Sequence, residues 1–113
     1  MKRNHCFYCG RPLTDTKIEV DHFIPWSFVK DDKIWNFVLS CRACNNKKRD
    51  TLAADEFIQP LIERNRIIVA KPELFTVVKA DLYGYDDNRL VGMYNSARFN
   101  GFSVGWKPTE YSD

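Results

Sequence analysis

Polar and apolar residues first alternate at Lys17-Ile18-Glu19-Val20, a period of two that predicts a short β-strand. Strict strand geometry sends the next two residues, Asp21 and His22, to opposite faces, so the strand is expected to twist or end there. Pro25 argues against its continuing further. Phe37-Val38-Leu39 predicts a second short strand, and Arg42 to Asp50 the start of a helix. Beyond residue 50 the spacing turns helical. Phe57, Ile58, Leu61 and Ile62 share one helical face, with Pro60 expected to kink or restart that helix. Pro72 suits the first position of another helix, carrying Leu74, Phe75 and Val78. Leu90, Met93, Tyr94 and Ala97 fall at i, i+3, i+4 and i+7, the clearest helix in the chain. Asp87 is its expected N-cap and Asn100-Gly101 its expected left-handed stop. These stripes read as core packing, and Trp26 and Trp35 as core or loop packing instead of base-stacking platforms. Strands followed by helices predict an α+β chain.

A length of 113 residues predicts one domain whose core would be thin without help. Eight Phe, five Tyr and three Trp make a packed core plausible at that size. No run of eighteen apolar residues occurs, and Met1-Lys2-Arg3-Asn4-His5 has no apolar signal-peptide centre. The expectation is a soluble, cytoplasmic chain with no membrane partner. The net charge of +2 is mild for a nucleic-acid binder, but it is unevenly spread. Residues 1–50 carry ten Lys/Arg against six Asp/Glu, and residues 51–113 carry seven against nine. The basic excess gathers at Lys47-Lys48-Arg49.

Chemistry gathers in the first half. Two Cys-x-x-Cys pairs, Cys6/Cys9 and Cys41/Cys44, have 31 residues between them. In a reducing compartment that spacing suits a metal better than disulfides. Two knuckles of two thiolates each complete a tetrahedral Zn²⁺ site with no position left for water, so this zinc is expected to be structural. Two disulfides or four buried free thiols are the alternative. His5, next to Cys6, is read as a non-ligand because four sulfurs already fill the site. A zinc deaminase is disfavoured, since such sites need a His-x-Glu ahead of the cysteines.

Between the cysteine pairs stand Asp21-His22 and Trp35-Asn36, and Asn45 directly follows Cys44. In order, the residues are Cys6-x-x-Cys9, Val20-Asp21-His22-Phe23-Ile24-Pro25, Trp35-Asn36-Phe37-Val38-Leu39 and Cys41-Arg42-Ala43-Cys44-Asn45-Asn46-Lys47-Lys48. This set, spanning residues 6–48, resembles the HNH endonucleases with a four-cysteine zinc. The third motif letter is Asn45 here instead of histidine, a common variant in that family. The resemblance implies a small ββα-metal core over residues 1–50 and a mostly helical C-terminal extension over 51–113, within a single nuclease domain. It implies hydrolysis of DNA phosphodiester bonds, by nicking or cutting the duplex, with 5′-phosphate and 3′-hydroxyl ends.

The implied roles make chemical sense. His22 can be neutral at working pH and take a proton from water as general base. Asp21 and Asn45 offer hard oxygens to one catalytic Mg²⁺ or Mn²⁺. Asn36, by resemblance, braces the loop that carries the base. Lys47, Lys48 and Arg49 are candidate contacts to the DNA backbone. Duller readings stand beside these: a buried Asp21-His22 pair without metal, Asn45 as a helix cap, and the basic run as a solvated face. The alternative function is a non-catalytic zinc module binding nucleic acid or protein, and a colicin-like toxin is a weaker third. A homodimer or larger effector complex fits a two-strand cut. Restriction, phage packaging, mobile elements and phage defence all use such modules, and the sequence does not choose among them.

Overall fold

The computed structural model describes residues 5–14, 18–71, 82 and 84–108. Strand β1 (Ile18–His22) pairs antiparallel with β2 (Phe37–Cys41), placing Val20 opposite Leu39 and His22 opposite Phe37. The predicted alternation holds to the end of β1: Asp21 is buried on one face and His22 half-buried on the other. Between the strands lie a one-turn helix α1 (Trp26–Val29) and a 3-10 turn over Ile34–Asn36. The Pro25 carbonyl accepts from the N–H groups of Phe28 and Val29, which closes α1. β2 runs directly into α2 (Arg42–Lys48), giving strand, strand and helix in the expected order.

The described elements after residue 50 fold back on that core. Helix α3 (Ile58–Ala70) follows a 3-10 turn over Asp55–Phe57, so the helix restarts near Pro60, one of the two outcomes expected there, and does not kink. Pro60 is its third residue, where the missing N–H has no intrahelical partner to lose. Helix α4 (Asp87–Phe99) is capped by Asp86, one residue earlier than expected; its carboxylate accepts from the Arg89 N–H at 2.8 Å. Asp87 instead accepts from Tyr85 Oη at 2.8 Å and from Arg66 at 3.2 Å. The helix expected from Pro72, with Leu74, Phe75 and Val78, lies outside the described residues. Two strands leave no sequence period because they are so short: β3 (Leu52–Ala53) and β4 (Val104–Trp106), paired in parallel.

One hydrophobic core joins both halves. Tyr8, Phe23 and Val38 from the first pack with Leu61, Leu90 and Tyr94 from the second. The Tyr8 ring meets Phe57 and Trp106 edge-on at 5.4 and 5.2 Å, and Phe23 stacks on Tyr94 at 6.1 Å. Burying each such side chain stabilises by about 1.5–3 kcal/mol. Tyr94 Oη also donates to the Ala53 carbonyl at 2.6 Å, pinning α4 to β3. Trp35 is buried against Tyr85, whereas Trp26 is about half exposed. No helix among the described residues is long and apolar enough to cross a membrane.

Candidate active site and metal cage

The cage forms where two tight turns meet. Gly10, with φ +79°, lets the first knuckle close, and its N–H reaches the Cys6 carbonyl at 2.9 Å. Cys9 N–H points at Cys6 Sγ, and Cys44 N–H at Cys41 Sγ, at 3.5 and 3.4 Å. All four sulfurs lie within 4.8 Å of one another, and all four cysteines are free. Burial pushes the Cys6 thiol up, but backbone N–H groups at Cys9, Cys41 and Tyr8 outweigh it and bring it down to about 7. Cys44 is driven far up, first by burial and then by the charge of its sulfur neighbours. Four sulfurs this close can be ligands to a single cation. The four cysteines are thus positioned to bind a metal ion, and an all-sulfur tetrahedral set suits Zn²⁺.

Next to the cage is a buried ion pair. Asp21 faces α2, where Lys48 Nζ lies 3.2 Å from Oδ2, and Tyr8 Oη donates to the same oxygen at 2.6 Å. Lys48 is 0 % exposed. This corrects the expectation that Lys48 meets DNA: the helix turns it inward, onto Asp21 and the His22 carbonyl, which accepts from Nζ at 3.1 Å. Burial pulls the Lys48 ammonium down, and the Asp21 charge pushes it partly back. Burial, and then the same carboxylate, raises Tyr8 well above the ordinary phenol range, so Tyr8 stays a donor. Its ring also sits 5.9 Å from the ammonium. Tyr8 belongs to the first knuckle, so the metal cage and the end of β1 share a hydrogen bond.

On the opposite face of β1, His22 packs against the Phe37 ring at 4.9 Å, edge to face. Its Nε2 lies 2.8 Å from Asp32 Oδ1, across from the loop after α1. Asn36 is buried, and its amide makes two bonds to one residue. Oδ1 accepts from the Ile24 N–H and Nδ2 donates to the Ile24 carbonyl, both at 2.9 Å. With Phe23 N–H on the Asn36 carbonyl, this stitches the segment after His22 to the turn before β2.

Asn45 lies one helical turn before Lys48, and its Nδ2 donates to Glu19 Oε1 at 2.7 Å. Glu19, two residues before Asp21 on the same face of β1, also meets Arg42 at 3.5 Å. Two rungs therefore connect β1 and α2: Glu19 with Asn45, and Asp21 with Lys48. Both contacts to the Asp21 carboxylate fall on Oδ2, and Asn45 uses its nitrogen. Among the described residues, the Oδ1 atoms of both take no hydrogen bond. Both are hard oxygens, the atom type that divalent ions such as Mg²⁺ and Mn²⁺ prefer. Lys47 and Arg49 are exposed. Arg49 holds φ 52° and ψ −133° as it closes α2, a backbone conformation that disfavours a side chain.

Sequence reasoning missed Tyr8, Glu19 and Asp32. Tyr8 lies within the first Cys-x-x-Cys pair and Glu19 within the first alternating stretch, and no spacing marks Asp32.

Two strands and a helix beside a four-cysteine cage, with Asp-His closing the first strand, define a ββα core. Residues 6–54 match a family model described as HNH endonuclease. No curated protein matches the chain significantly.

Proposed function

We propose that this chain is a metal-dependent endonuclease that hydrolyses phosphodiester bonds of duplex DNA. What supports the reading is His22 itself. It is a partly exposed imidazole at the end of β1, beside Asp21, inside the segment that matches the HNH family. In this reading His22 receives a proton from the attacking water at a ring nitrogen. Asn36 holds the segment after it by two backbone bonds, so the ring meets its water in one geometry. Asp21 and Asn45 would hold Mg²⁺ or Mn²⁺ through their Oδ1 atoms. Bound there, the ion would supply charge neutralisation at the scissile phosphate and at the leaving 3′ oxygen. The four-cysteine zinc carries no step; it fixes the strand and helix that present these groups. Exposed Lys47 and Arg49 are the proposed contacts to DNA phosphates. A cut through both strands calls for two such sites, hence a homodimer or a larger effector complex.

Zinc-loaded protein incubated with supercoiled plasmid and Mg²⁺ or Mn²⁺ is expected to yield nicked or linear DNA with 5′-phosphate and 3′-hydroxyl ends. Plasmid left supercoiled with both ions contradicts the proposal. A second reading, a non-catalytic zinc module that binds nucleic acid or protein, is favoured by one observation. The Asp21 charge already has a cation on it in Lys48, which opposes a second cation nearby. Retarded but uncut DNA would decide for that reading.

A further inference from the structure

We propose that Asp32 is the positioning residue for His22: its carboxylate takes the Nε2 proton and commits Nδ1 to the role of proton acceptor. The catalytic meaning of this pairing rests on the nuclease reading above; the pairing itself rests on geometry.

An ionised carboxylate can only accept, and a neutral imidazole carries one N–H and one lone pair. The 2.8 Å contact between His22 Nε2 and Asp32 Oδ1 therefore puts the hydrogen on Nε2 and leaves the lone pair on Nδ1. Among the described residues Nδ1 has no hydrogen-bond partner, and 27 % of the side chain reaches solvent, enough for a water to approach. The other freedoms of the residue are already restrained. Lys48 Nζ holds the His22 carbonyl, and the Phe37 ring packs edge to face with the imidazole. Rotation of the ring about its own axis remains, and the bond to Asp32 opposes it, because a flipped ring would carry Nε2 away from the carboxylate.

The loop is built to hold Asp32 there. Lys30 takes φ 54° after α1 and reverses the chain. Asp31 Oδ1 then accepts from the Asp32 N–H at 2.8 Å, while Asp31 Oδ2 faces Lys33 at 4.0 Å. One acid thus fixes the backbone of the next. Asp32 is 66 % exposed in its side chain, so the pair contributes little to folding. Its effect is orientation, the job a carboxylate does for a base histidine in a catalytic triad.

The test combines ring ¹⁵N NMR with cleavage kinetics on zinc-loaded protein. The chain has only two histidines, so His5 serves as an internal reference. At a pH of about 8.5, above the ordinary imidazole range, wild-type His22 is expected as the Nε2–H tautomer. Asp32→Ala is expected to give a tautomer mixture with an unchanged melting temperature. In cleavage, Asp32→Ala is expected to lower kcat by about 10- to 100-fold, the scale typical of losing a partner that orients a functional histidine. KM should stay near wild type, and Asp32→Glu should recover part of the loss. A wild-type His22 protonated on Nδ1, or an Asp32→Ala variant with the same tautomer and kcat as wild type, overturns the proposal. Wild-type protein that leaves DNA intact while its tautomer depends on Asp32 overturns the nuclease reading and upholds the pairing.

Discussion

A lysine with no exposed surface is the residue that most constrains this site. Lys48 brings an ammonium against the Asp21 carboxylate and the His22 carbonyl, and Tyr8 completes the carboxylate's shell. Breaking a buried pair from one side leaves an uncompensated charge, which typically costs about 3–5 kcal/mol. Lys48→Met is therefore expected to destabilise the protein by about 3 kcal/mol, measured by urea unfolding. The double variant Lys48→Met/Asp21→Asn should regain a large part of that. Equal loss in the single and double variants would mean that packing, not charge, makes Lys48 matter. At this scale the sequence was partly legible. The cysteines are recognisable from spacing alone, because two-residue intervals are what a knuckle needs. Lys48 looked like part of a basic surface because Lys47 and Arg49 flank it, and a run of three cations hides which one the helix turns inward. The Asp32–His22 contact spans ten residues across a loop, and no periodicity records such a contact.

At the scale of elements, the turn that carries Asn36 is held from outside the ββα core. Arg64 of α3 donates from Nη2 to the Phe37 carbonyl at 2.7 Å and to the Ile34 carbonyl at 3.4 Å. Its neighbour Asn65, fully buried, donates to the Trp35 carbonyl at 2.9 Å. Together they take three carbonyls around one turn, at the entry to β2. Arg64→Ala is expected to lower stability by about 2 kcal/mol, since it orphans acceptors in a largely buried place. Loosening the strand opposite His22 should also slow cleavage. Unchanged urea midpoint and unchanged rate would show that the turn stands without α3. The major elements were legible wherever burial was one-sided and long enough to set a period, as in β1, β2 and α4. Helix α3 was only half seen. Its pattern was clear from Phe57 to Ile62, but Pro60 suggested an interruption where the helix in fact begins. The β3–β4 pair could not be read, because it joins two and three residues about fifty positions apart and depends on the folded core for its register.

Over the whole molecule, the metal cage and the C-terminal helices support one core instead of two separate ones. Tyr8 in the first knuckle packs on Phe57 and Trp106, and Phe23 beside the site packs on Tyr94. Removing zinc is therefore expected to unfold the whole chain, not only its first half, with a loss on the order of 10 kcal/mol of binding-coupled stability. Chelation followed by circular dichroism and tryptophan fluorescence checks this, with Trp106 and Trp35 reporting from the two halves. Native signals from both after zinc removal would show that the cage is dispensable. Truncation after Ala54, the end of the family match, should likewise fail to fold even with zinc, because Tyr8 and Phe23 would lose their partners.

The central claim is that His22, steadied by a thiolate-bound zinc and a buried ion pair, is the base of a DNA-cutting site. The most direct measurement compares plasmid cleavage by wild type and His22→Ala at equal zinc content, with Mg²⁺ or Mn²⁺ present. The account predicts a loss of about 10²–10⁴ in rate, the range for removing a general base, with melting temperature and zinc stoichiometry held near wild type. A His22→Ala protein that is folded, zinc-loaded and cuts at the wild-type rate would contradict it.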